Sequence, residues 1–148
     1  MTVTNHAVTG ILIATVVKQP ALALPLAFLS HFAIDMVPHW IHTFKNHFYT
    51  QIAVVIDLTL AVALTLVLAF TAKQSAVILM AASFLSVIPD AMWATGFSKP
   101  ADYTKKGHTL WTKAQWFFHK IQWSESQPGI IIEALWLVAI LVLILKLR

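Results

Sequence analysis

The chain has 148 residues, 59% of them hydrophobic and 11% charged, with a formal net charge of +4 and no cysteine. Soluble domains run nearer 45–50% apolar and about 25% charged, so the composition predicts an integral membrane protein of one compact domain. The missing cysteines exclude disulfides and thiolate metal sites and leave nitrogen and oxygen as metal ligands. The basic residues lie beside apolar runs rather than in one patch, which points to the lipid bilayer and its anionic headgroups as partner, not to nucleic acid.

Thr4 or Asn5 is the expected N-cap of a first helix, with His6 in its first turn and an apolar run from Ala7 to Val17. No basic segment precedes that run and no cleavage pattern ends it, so it reads as a retained helix rather than a signal peptide. Lys18-Gln19-Pro20 breaks the chain, and a second helix runs from about Ala21 to Trp40. The first run is shorter than the roughly 20 residues of a perpendicular span, so this pair forms either a full hairpin or a shallower re-entrant one.

After a polar loop, a third helix is expected from Ile52 to Ala72, a turn at Lys73-Gln74-Ser75, and a fourth helix to about Trp93. A faint repeat relates Ala27-Phe28-Leu29-Ser30 before Asp35 to Ser83-Phe84-Leu85-Ser86 before Asp90. Pro38 and Pro89 remove helical N–H bonds; they either free the carbonyls of Ile34 and Leu85 to line a cavity or simply end helices at the interface. From Leu110 to Trp123, tryptophans and phenylalanines alternate with lysines and glutamines, the composition of a helix lying in the membrane interface. Pro128-Gly129 then opens a last apolar helix. The expected architecture is all-α: a bundle of about five membrane helices, with hairpins over 5–40 and 52–95, an interfacial region over 96–127 and a last helix over 128–148.

The chemistry concentrates at Ser30 to Trp40, where His31, Asp35 and His39 follow one another at intervals of four. On a continuous helix each such step rotates only about 40°, so all three share a face. His31 and His39 would nonetheless lie about 12 Å apart, too far for one ion. Either Asp35 and His39 hold a metal that His31 supports from outside, or Asp35 bridges two ions about 3.5–4 Å apart. The bland alternative is a helix end with interfacial histidines, although an Asp in apolar sequence points to function.

The expected topology brings His6, Asp35, His39, Asp90, His108, His119 and Glu133 to one membrane face, with Asp57 in the nearer half. The other face receives Lys18, Lys73, Lys146 and Arg148. Counting the lysines of the site face, including Lys45, Lys99 and Lys113, places it on the cytoplasmic side. The predicted metal ligands are His6, His31, Asp35, His39, Asp90 and His119. Such a set suits zinc, with manganese and iron as alternatives, as one or two ions.

At these residues the chain resembles the small membrane-bound, metal-dependent hydrolases of bacterial inner membranes. The resemblance rests on His6 to Gly10, on Ser30-His31 through Asp35 to Pro38-His39-Trp40, on Ile88-Pro89-Asp90, and on His119-Lys120-Ile121-Gln122-Trp123. Members of that family carry a second His where this chain has Gln122, which argues against a complete second metal site. The resemblance implies a multi-pass protein of a bacterial or archaeal cell membrane with hydrolase activity.

The expected reaction is hydrolysis of a phosphate ester, such as a phospholipid, by a metal-activated water at the headgroup level. Glu133 is the expected general base, Asp57 a further catalytic carboxylate, and Lys105, Lys106 and Lys120 attract the anion. A non-catalytic metal- or lipid-binding protein is the main alternative. A transition-metal transporter is less favoured, because the helices carry few polar groups toward the opposite face. Self-association into a homo-oligomer is left open.

Overall fold

The computed structural model describes residues 1–40, 47–93, 109–121 and 128–147. Among these residues the protein is all-helical: α1 (Val3–Val17), α2 (Pro20–Asp35), α3 (His47–Thr71), α4 (Ala76–Val87), a 3₁₀ segment (Ile88–Trp93), α5 (Leu110–Ile121) and α6 (Gly129–Leu147). The described part of α3, from Phe48 to Thr71, and all of α6 are long and apolar enough to cross a membrane. The other apolar helices are shorter, at 15 residues for α1, 16 for α2 and 12 for α4.

The first helix is the axis of the fold, touching α2, α3, α4 and α6. Its sequence explains why: Ala7, Val8, Gly10, Ile11 and Ala14 are small or compact, and no face is reserved for charge. Gly10 sets the closest approach, because a Cβ there would sit 2.5 Å from the Ala82 carbonyl oxygen and 2.6 Å from Ser86 Oγ on α4. Any side chain would force the two helices apart. The core continues through Ala23, Ala27, Leu68, Ala69, Leu79, Ala82, Ile140 and Ile144.

The outer faces are apolar as well. Along α3, Val55, Ile56, Leu58, Val62, Val67 and Phe70 are exposed, and along α6 so are Ile131, Leu135, Val138, Val142 and Leu145. So much contiguous exposed hydrocarbon is what lipid-facing helices carry.

Several helix ends differ from the sequence reading. The N-cap of α1 is Thr2, not Thr4 or Asn5, and Thr2 makes no side-chain cap bond. The cap comes from a distant residue: Asp57 of α3 accepts from Val3 N–H (2.7 Å), Thr4 N–H (3.1 Å) and the Thr4 hydroxyl (2.6 Å). A carboxylate across two free N–H groups at a helix start is favourable for charge and hydrogen bonding alike.

The second helix stops at Asp35 rather than Trp40. Pro38 disfavours helical geometry at Val37, and the chain turns there. The Ile34 carbonyl is not left free, since it accepts from the N–H groups of Met36 and Val37. The third helix begins earlier than expected, at His47, and the fourth tightens into the 3₁₀ segment at Ile88-Pro89-Asp90. Pro20 starts α2 as expected, and Pro25 lies inside it.

Candidate metal centre

Four side chains from three elements converge at one end of α1. His6 stands in its first turn, His31 and Asp35 share a face of α2, and Asp90 comes from the 3₁₀ segment. One ligand atom from each lies within 4.8 Å of the others. His6, His31 and Asp35 are buried, whereas the Asp90 side chain keeps 21% of its surface exposed. The imidazoles of His6 and His31 stack with their centroids 4.0 Å apart.

Asp35 is the hub. Its Oδ1 lies 3.0 Å from His6 Nε2 and accepts from the Met1 ammonium at 2.6 Å, and its Oδ2 lies 3.2 Å from His31 Nε2. Asp90 Oδ1 is 3.7 Å from the same His31 nitrogen.

Ser86 orders this arrangement. Its carbonyl accepts from His31 Nδ1–H at 2.9 Å, and its hydroxyl donates to the His6 carbonyl at 2.7 Å. A carbonyl can only accept, so the proton on His31 Nδ1 is fixed, and in the neutral ring Nε2 presents its lone pair to two carboxylates. In that tautomer the cluster offers an imidazole lone pair and two carboxylates, of which Asp35 Oδ1 already meets the Met1 ammonium, and a cation between the others would be held by all three.

The hydrogen-bond inventory gives the same result. Neither ring nitrogen of His6 makes a well-aligned hydrogen bond, Nε2 having only the 3.0 Å contact with Asp35 Oδ1, and Asp90 Oδ2 is also without a partner. Buried polar atoms are nearly always satisfied, so a cluster of exceptions calls for a ligand. The donor set, two imidazoles and two carboxylates, matches a divalent transition metal. His6, His31, Asp35 and Asp90 therefore form a group that could hold a metal ion.

The remaining predicted site residues have other places. His39 is buried, but it lies beyond the end of α2, so the expectation of a shared face with His31 and Asp35 does not hold. Its Nδ1–H donates to the Val37 carbonyl at 2.8 Å, and it is outside the four-residue group. His119 is half-buried in α5 and is also outside that group. Asp57 caps α1. Glu133 is buried in the first turns of α6, where Oε1 accepts from Trp40 N–H at 3.2 Å and its carbonyl accepts from the Asn5 side chain at 3.2 Å. Lys120 is exposed, with its ammonium 4.3 Å from the Trp116 ring centroid. Lys105, Lys106, His108 and Gln122 lie outside the described residues.

Sequence reasoning named the segments that hold Ser86 and Gly10 but gave neither residue a role of its own. Ser86 acts mainly through its backbone carbonyl, which has no residue signature, although the repeat of Ser83-Phe84-Leu85-Ser86 marked its segment. Phe32 also joins the site, with its ring edge against His31 (5.3 Å between centroids) and its face stacked on Phe118 of α5 (4.8 Å). Compared with protein-family models, curated proteins and solved structures, the chain matches none of them.

Proposed function

We propose that this protein is a multi-pass membrane hydrolase that uses a divalent metal to cleave a phosphate ester at the membrane surface. One observation carries the reading: His31 Nε2, with its other nitrogen committed to Ser86, faces Asp35 and Asp90 beside a His6 ring whose nitrogens lack well-aligned hydrogen bonds. His6, His31 and Asp35 would hold the ion. When bound, zinc or a related ion supplies Lewis acidity and makes a water acidic enough to ionise near neutral pH.

The protein groups then divide the work. Ser86 keeps His31 in the tautomer that can bind metal, and Asp35 supplies the negative charge shared by both imidazoles. Asp90, partly exposed and with a free Oδ2, is better placed than Glu133 to accept a proton from water or substrate. Glu133 instead ties Trp40 to α6. Exposed Leu110, Trp111 and Phe117 on α5 suit a helix resting in the interface, where an esterified headgroup would approach. The lysine count in the sequence favours a cytoplasmic placement of this face as part of the proposal.

A second reading, a non-catalytic metal holder, is favoured by the burial of His6, His31 and Asp35. Four protein ligands complete a tetrahedral zinc site, and only a site that leaves Asp90 unbound keeps a position for water. The test pairs metal analysis with turnover. Purified protein is expected to carry about one divalent ion per chain and to release phosphate or headgroup from mixed lipids, and Asp35→Ala is expected to do neither. Metal without turnover supports the holder. Equal metal content in folded Asp35→Ala overturns the site.

A further inference from the structure

Lys18 lies twelve residues beyond His6, about 18 Å along α1 by helical rise, so the opposite end of this helix is a separate chemical environment. There the α1–α2 and α3–α4 turns and the end of α6 surround a cavity of about 440 Å³. Thr15, Lys18, Lys73, Gln74, Ser75 and Leu147 contribute to its wall, with Ala14 and Ile78 as apolar floor. No carboxylate side chain lines it among the described residues, and neither lysine is in an ion pair.

The polar wall has one sign and one bias toward donors. Gln74 is fixed by donating to the Thr15 carbonyl at 2.9 Å, while Lys18 and Lys73 are exposed and their ammonium groups make no hydrogen bond or ion pair among the described residues. Ser75, the N-cap of α4, also lines the cavity and makes no side-chain cap bond. Lys18 closes α1 with φ 58°, a left-handed conformation usually left to glycine or asparagine. Lys18 is itself one of the residues lining the cavity.

We propose that this cavity binds the phosphate of an anionic ligand, with Lys18 and Lys73 as counter-charges. Leu147 and Ile78 give the wall an apolar side along which attached hydrocarbon would lie. Two sources carry that chemistry: the headgroup of an anionic phospholipid and free inorganic phosphate. The size is within the range of small-ligand pockets, and basic pockets between membrane helices are a recognised setting for anionic headgroups. The inference stands apart from the metal centre, and its failure would leave the hydrolase reading untouched.

The experiment uses the full chain in detergent with a chelator present, so that the metal centre does not contribute. Native mass spectrometry and thermal shift are read with phosphatidylglycerol, with phosphatidylcholine of the same acyl chains, and with inorganic phosphate. Wild type is expected to retain phosphatidylglycerol in preference to phosphatidylcholine. With about a factor of five for each lysine, Lys18→Gln/Lys73→Gln should bind it roughly 30-fold more weakly, whereas Lys113→Gln on α5 should not. Stabilisation by inorganic phosphate without a preference between the lipids, lost in the double variant, would assign the site to the free ion. Undiminished binding by the double variant, an equal loss in Lys113→Gln, or no binding of either phosphate source would overturn the proposal.

Discussion

Ser86 touches both histidines of the cluster, His31 through its carbonyl and His6 through its hydroxyl. One residue of α4 therefore sets the register of α1 against α2 at the place where their ligand atoms meet. Replacing it separates a packing effect from an effect on the metal. Ser86→Ala keeps the carbonyl but loses the bond to His6, at a cost of about 1 kcal/mol in stability. Metal affinity, read by competition with a fluorescent chelator, is expected to fall about tenfold. An unchanged affinity would confine the ordering role of Ser86 to its carbonyl on His31.

The contact at Gly10 gives a second expectation. Gly10→Val must push α4 away through the Ala82 backbone and Ser86, and overpacking of this kind costs typically about 1–3 kcal/mol. Thermal unfolding in detergent should show a lower midpoint, accompanied by loss of metal because Ser86 moves with α4. A variant as stable and as metal-loaded as the parent would contradict the close approach.

Asp35 is buried and Asp57 half-buried, both beside the start of α1, yet they should respond differently. Asp57→Ala removes an N-terminal cap and is expected to cost about 1–2 kcal/mol while leaving metal content unchanged. Metal loss in a folded Asp57→Ala protein would return Asp57 to the ligand set.

For the reaction, the discriminating pair is Asp90→Asn and Glu133→Gln. If Asp90 takes the proton, Asp90→Asn should lower turnover about 10²-fold or more with metal still bound, whereas Glu133→Gln should change it little. The opposite ranking would restore Glu133 as the base.

Metal occupancy should also depend on acidity. Imidazole binds only when neutral, so protons compete with the ion, and affinity should fall as pH is lowered from about 8 to about 5.5. Equilibrium dialysis across that range measures it. A flat profile would count against ligation by His31, since burial keeps the His6 ring neutral throughout this range.

Much of this site can be read from residue spacing. The interval of four between His31 and Asp35 places them on one face of α2, and the polarity of the helix ends gathers His6 and Asp90 nearby. The same interval fails for His39, because a periodicity argument assumes that the helix continues and Pro38 ends it. Helix capping was legible as a need but not as a partner: Thr2 has the right chemistry, yet the donors of α1 turn to Asp57, more than fifty residues away. Ser86 was illegible in its main role, since any residue there has a carbonyl. Composition gave the all-helical apolar class, and the exposed hydrocarbon on α3 and α6 agrees with it.

The hydrogen bond from the Asn5 side chain to the Glu133 carbonyl spans 128 positions, and it has a consequence in time. During synthesis α1 appears first, yet one of the four helices it touches is made last. The chain must hold its first helix in waiting while α2, α3 and α4 gather around it, and only the arrival of α6 closes the remaining side. His6, His31, Asp35 and Asp90 can meet before that moment. None of the four belongs to α6, so the cluster is assembled from elements that precede it in the chain.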